Sequence, residues 1–142
     1  MEDELFSVKD RICVITGGMG QLGAQFVREF LKRNAKVAVF GRNIEQNRIQ
    51  KVFKREEYEN PNLRFFRADI TNKEELNAAL DEIEAAWHDA PDILLNNAGI
   101  DTQPSAPPEV SGPFEEFPEE VFREVVNVNL VGTFLACQAV GK

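Results

Sequence analysis

Apolar positions along this chain follow two rhythms. Short apolar runs, of the kind buried in a sheet covered on both sides, occur at 11–16, 36–40, 63–68 and 92–96 and predict four strands. Between them the apolar residues recur every three or four positions, the helical period. A helix over 20–33 would carry Leu22, Phe26, Val27, Phe30 and Leu31 on one face. A charged helix over 44–57 has only a thin stripe of Ile44, Ile49, Val52 and Phe53. A third helix is expected to be capped by Thr71, with Glu74 completing a capping box, and to run to about 88. It would bury Leu76, Ala79, Leu80, Ile83 and Trp87. The last helix begins beyond Pro118, with Glu119 and Glu120 at its positive end, and carries Val121, Phe122, Val125, Val128 and Phe134. The loop over 100–117 holds Pro104, Pro107, Pro108 and Pro113, too many prolines for a helix. Its length and prolines suggest either a lid bordering a substrate or a rigid surface loop.

Strand–helix alternation with short links predicts an α/β fold. Its parallel β-α-β units cross over right-handedly, with helices on both faces of the sheet. The 142 residues suit one domain, 1–142, with no repeat or linker. A hydrophobic share of 43% and a charged share of 28% suit a water-soluble globule. The net charge of −8 argues against nucleic acid or an anionic membrane as partner. Met1-Glu2-Asp3-Glu4 is acidic and has no apolar signal core, and no apolar run approaches the ~20 residues of a membrane span. Cys13 and Cys137 form no C-x-x-C pair and read as two reduced, buried thiols, so the expected location is cytoplasmic. No His, Cys or carboxylate cluster has metal-ligand spacing, and the one histidine, His88, is expected on the surface.

The chemistry concentrates where the first strand meets the first helix. Gly17, Gly18, Gly20 and Gly23 fall within seven residues, and the last three spell G-x-G-x-x-G. A strand before that motif and a helix after it bring backbone N–H groups and the positive end of a helix together, a site for a dinucleotide pyrophosphate. Gly17 and Gly18 would make the turn, Gly20 would admit the phosphates, and Gly23 would let the helix pack closely. Gln21 and Leu22 lie inside the same loop. A P-loop is excluded because no Gly-Lys-Ser/Thr follows. Dinucleotide sites select between cofactors at the end of the second strand, where an acid marks NAD. Here the chain reads Phe40-Gly41-Arg42-Asn43, and Arg42 suits a 2′-phosphate, so NADP is expected ahead of NAD. A plain surface arginine is the other reading of Arg42.

Four blocks then carry a family resemblance across nearly the whole chain: Thr16-Gly17 through Gly23, Ala68-Asp69-Ile70, the Asp92–Ile100 block DILLNNAGI, and Asn127-Val128-Asn129 through Phe134. In order and spacing they resemble the short-chain dehydrogenase/reductase family. The resemblance implies a Rossmann-type parallel sheet, truncated here to about four strands in the order 3-2-1-4. It implies that Asp69 hydrogen-bonds the adenine amino group and that Ile70 flanks the ring. Asn96, Asn97, Ala98 and Gly99 would lie against the adenosine ribose or lock the central sheet. Asn129 would be the asparagine of the catalytic tetrad, at a helix irregularity, holding a water in a proton relay.

Two departures matter. The glycines read T-G-x-x-G-x-x-G, the spacing of the family's extended, nucleotide-sugar branch, whereas Asn-Asn-Ala-Gly looks like the short branch. The family's Tyr-x-x-x-Lys and serine are also missing, since the only tyrosine, Tyr58, is followed four residues later by Asn62. The resemblance therefore implies the N-terminal part of an NAD(P)-dependent oxidoreductase, inactive as this piece. The full form would transfer hydride between nicotinamide and a small carbonyl/alcohol substrate and self-associate through its last helix. A non-catalytic dinucleotide-binding or regulatory module, and a fragment of an extended-type nucleotide-sugar dehydratase or epimerase, are the alternatives.

Overall fold

The structure, a computed structural model, describes residues 4–101 and 110–142. Pro104, Pro107 and Pro108 of the long loop lie outside the described residues. Four strands form one sheet: β1 (Ile12–Thr16), β2 (Lys36–Gly41), β3 (Leu63–Arg67) and β4 (Ile93–Leu95). Their order is β3-β2-β1-β4, with every pairing parallel, as the apolar runs and the resemblance implied. The chain steps outward from β1 to β3 and then returns to the other side of β1. Crevices open at such a reversal, beyond the carboxyl ends of the strands.

Alternating residues of β1 feed two separate cores. Cys13 and Ile15, with Val37 and Val39 of β2, pack beneath α1 (Gln21–Lys32), where Ala24 and Val27 are buried. Ile12 and Val14, with Phe40 and Phe66, pack against α4 (Lys73–Trp87) through Leu76, Ala79 and Ile83. Full burial of a side chain of this size stabilises by about 1.5–3 kcal/mol. At the other end of the strands Asp92 ties β4 to β1. Its carboxylate accepts the Ile12 N–H at 2.8 Å and the Arg11 guanidinium at 2.7 Å. Burial pushes the Asp92 carboxyl up, but the Ile12 amide and Arg11 outweigh that and hold it below its ordinary value.

Three expectations need correction. The helix expected over 44–57 is two helices, α2 (Gln46–Val52) and α3 (Arg55–Tyr58). Phe53 between them is extended, with φ −117° and ψ 140°. That conformation buries its ring beside Phe65, 5.5 Å away, with the Arg28 guanidinium 5.3 Å above it. Arg28 also donates to Val52 O at 2.8 Å and to Glu57 Oε1 at 2.6 Å, while Glu57 accepts the Lys54 N–H and starts α3. Second, Leu22 and Phe26 are exposed, because the face of α1 on the sheet is made of the small residues Gly23 and Ala24 with Val27. Third, α4 is capped by Asn72, whose Oδ1 accepts the N–H groups of Glu74 and Glu75, and not by Thr71.

The last helix is interrupted. α5 (Glu119–Val126) and α6 (Thr133–Val140) are joined by a π-helical turn at Asn127–Gly132. Gly132 is buried against Ile70, which a Cβ there would meet at 2.7 Å. Phe122, Leu130 and Phe134 are exposed at 60% or more, so this helix is less buried than its apolar count suggested.

Candidate nucleotide-binding cleft

A cleft of about 750 Å³ opens at the carboxyl ends of the four strands. Its floor is the turn after β1. Gly17 sits at φ +65°, a left-handed conformation that favours glycine. A Cβ there would also strike the backbone of Ala98 at 2.9 Å. Gly20 is the N-cap of α1 and offers no side-chain acceptor. The first-turn amides of Gln21, Leu22 and Gly23 therefore stand at the cleft as the free donors of a helix N-terminus. A Cβ on Gly23 would collide with Gly17 O, with Asn97 Nδ2 at 2.7 Å and with Gly18 Cα at 2.8 Å. Its close approach is to the loop and to Asn97 more than to the sheet. Gly18 does not line the cleft. It lies over the sheet, against Val39 and Val27.

One buried hydroxyl holds that floor in place. Thr16, the buried polar residue among the described residues, accepts the N–H groups of Asn97 and Ala98 on Oγ1 at 3.1 and 3.0 Å. Asn97 Nδ2 returns bonds to Thr16 O at 3.2 Å and Gly17 O at 3.1 Å. The Asn97 side chain thus locks the end of β1 to the segment after β4, while Ala98 and Gly99 line the cleft. Asn96 turns the other way and donates to the Cys137 sulfur of α6 at 3.2 Å. It does not join the cleft.

Asp69 and Ile70 form one wall of the cleft and Arg42 another. Arg48, in the first turn of α2, carries no motif and was not among the expected site residues. It lines the cleft together with Asn43 and Met19, and neither arginine has an ion-pair partner among the described residues. The available signal is a second arginine six positions after Arg42, off the apolar stripe of that segment. Val128 and Ile100 complete the rim. Asn129 sits in the π-helical turn, the helix irregularity implied for it. Its Oδ1 accepts the Ile100 N–H and its Nδ2 donates to Ile100 O, both at 2.8 Å. Its own carbonyl accepts the Thr133 hydroxyl at 2.9 Å. Tyr58 packs in the α1-side core, away from the cleft. Among the described residues no group of three His, Cys, Asp or Glu could hold a metal ion, and no helix is long and apolar enough to cross a membrane.

Comparison with known proteins agrees with this geometry. The chain is 31% identical over 150 residues to 5-keto-D-gluconate 5-reductase of Escherichia coli strain K12, a match covering 97% of this chain and 50% of that protein. It is 30% identical over 142 residues to 2-dehydro-3-deoxy-D-gluconate 5-dehydrogenase of Formosa agariphila, covering 100% of this chain and 50% of that one. Among solved structures, a short chain dehydrogenase from Leptospira borgpetersenii with bound NAD+ is 33% identical with a TM-score of 0.73, over 94% of this chain and 46% of that one. One from Bacillus anthracis is 26% identical with a TM-score of 0.78, over 95% and 50%. The chain spans about half the length of the curated relatives it matches. The model of the short chain dehydrogenases fits residues 11–142, and with this fold and glycine turn the chain belongs to that family.

Proposed function

We propose that the protein is an NAD(P)-dependent oxidoreductase acting on a small carbonyl/alcohol pair, and that these residues provide the adenosine half of its cofactor site. The carrying observation is convergence on one cleft of a glycine turn with helix N-terminal amides, an acidic wall at Asp69 and a basic wall at Arg42 and Arg48 that has no ion-pair partner among the described residues. The residues fit a dinucleotide. Gly17 and Gly23 leave a cradle that any side chain would fill, and the donors of α1 suit a pyrophosphate. In this reading Gln21, Leu22 and Gly23 hold the pyrophosphate through their amides, with Gly20 clearing the approach. Asp69 accepts from the adenine amino group, Ile70 lies on the ring, and Ala98 and Gly99 border the ribose. The nicotinamide, when bound, supplies or accepts the hydride. Asn129 holds the Ile100 backbone at the rim, and its second amide hydrogen is left for a water of the proton relay.

Arg42 and Arg48 favour NADP, because two guanidinium groups suit a 2′-phosphate that NAD lacks. The Leptospira relative carries NAD+, so the fold alone does not set the choice, and this reading rests on these two side chains. Titration of NADP and NAD tests this. Arg42→Asp is expected to weaken NADP at least about tenfold and NAD by less than about threefold. Equal losses for both would overturn the assignment of Arg42. A dinucleotide-binding module without turnover is the second reading, favoured by the position of Tyr58 in the opposite core. Binding without any change in nicotinamide absorbance, on adding carbonyl substrates to the full-length form, marks that case. The exposed Phe122, Leu130 and Phe134 are proposed as the face through which copies associate.

A further inference from the structure

Thr71 lacks the capping role its sequence position suggested, and its polar groups have another use. Its hydroxyl donates to Asp69 Oδ1 at 2.7 Å, and its backbone N–H donates to the same oxygen at 2.9 Å. Both bonds converge on one carboxylate oxygen, so the Asp69 side chain is fixed in a single orientation. Oδ2 has no hydrogen-bond partner among the described residues. The Asp69 backbone is held as well, since its N–H donates to Glu75 Oε2 at 2.9 Å. Asp69 lines the cleft and Thr71 does not. In the cleft a ligand meets the carboxylate, and the Thr71 hydroxyl acts through it.

From this we infer that Thr71 is a positioning residue for base selection. By saturating Oδ1, it presents Oδ2 alone, in a fixed direction, to an exocyclic amino group on the bound base. The inference rests on the proposed contact between Asp69 and the adenine amino group. Its chemistry is that of an acceptor without a proton to give. A 6-amino purine donates to Oδ2, whereas a 6-oxo purine presents a second acceptor and is repelled. Rigidity sharpens this difference. A carboxylate free to rotate would turn away from a 6-oxo group at little cost, and discrimination would fade. A fixed one leaves the wrong base facing an unpaired charge.

The test is the ratio of affinities for NADP and its hypoxanthine analogue, measured by calorimetric titration. A purely structural role for Thr71 would weaken both ligands equally and leave the ratio unmoved. The unsubstituted protein is expected to prefer the adenine form by about tenfold, the scale of one hydrogen bond to a charged group. Thr71→Val and Thr71→Ala should bring the ratio within about threefold of unity, and Thr71→Ser, which keeps the hydroxyl, should restore it. Two hydroxyl-free variants are used so that misfolding of one, read by circular dichroism, leaves the other. Asp69→Ala separates the layers. If it abolishes the preference while both Thr71 variants keep it, the positioning role fails and the adenine contact stands. If Asp69→Ala keeps the preference, or the protein shows no preference or no binding, the contact itself fails and the inference falls with it.

Discussion

Replacing Thr16 by valine keeps the shape of a buried strand residue and deletes one oxygen. That oxygen accepts the N–H groups of Asn97 and Ala98, and Thr16 is 1% exposed, so water cannot take over cheaply. Each orphaned donor costs about 1–3 kcal/mol, and the added buried methyl returns about 0.8 kcal/mol. The net loss centres on about 3 kcal/mol, which for a domain of this size lowers Tm by about 10 °C. Thr16→Ser supplies the control, since it keeps the acceptor and loses only a methyl, for about 1 kcal/mol. Urea unfolding followed by circular dichroism should rank the original protein above serine and serine above valine. A valine variant as stable as the serine variant would refute the claim that this hydroxyl holds the floor of the cleft. The same variant should bind dinucleotide less tightly, because Asn97 anchors the turn at Gly17 only while Thr16 anchors Asn97.

Gly23→Ala would press a methyl against backbone and Asn97 atoms that cannot retreat. A loss of about 1–3 kcal/mol and at least about tenfold in dinucleotide affinity is expected, and an unchanged melting temperature would contradict it. Asp92→Ala removes the acceptor of the Ile12 N–H and should cost about 1–3 kcal/mol at pH 7. The folded Asp92 carboxyl titrates below its ordinary 3.8, so its stabilisation is present above that pH and fades as pH falls through the folded value. The gap between the two proteins in denaturant midpoint should therefore narrow below about pH 3.8, and a constant gap would count against the linkage. Cys13 is buried as expected, and burial pushes its thiol up to about 12, whereas Cys137, also expected to be buried, is exposed. A thiol reagent at pH 8 should therefore modify one cysteine in the native protein and two after denaturation; rapid modification of both would exclude the buried site.

The strands were legible because a sheet covered on both sides demands continuous apolar runs, and Ile12–Thr16 can hardly be anything else. The glycine turn was legible because its spacing encodes backbone geometry. What stayed hidden depends on which neighbour a side chain meets. The helical period runs through Phe53 without a break, yet burial of its ring against Phe65 and Arg28 forces an extended residue there. Thr71 and Asn72 are both competent caps, and only the pull of Asp69 on Thr71 decides between them. Leu22 and Phe26 satisfied the helical stripe but face away, because the inner surface of α1 is set by how closely Gly23 meets the turn. Arg48 carried no motif, since a cation that faces a cleft is invisible until the cleft exists.

The two cores on opposite faces of the sheet recruit the chain differently, and this bears on how the molecule assembles. The buried residues under α1 all fall between Cys13 and Leu63, a continuous stretch of chain. The other face takes in Ala139, with Val128 and Leu135 packed on it, and joins them to Ile12 near the opposite end. Near-neighbour contacts form quickly and distant ones slowly. The α1 face is therefore expected to nucleate first, and the α5–α6 helix to dock last. In the folded protein that helix is expected to be the first to come away, taking with it the Asn129–Ile100 bonds and the wall behind Ile70 while the glycine turn stays closed. Backbone amides at Ala136 and Ala139 should then exchange with solvent faster than those at Val14 and Val39, although all four residues are buried.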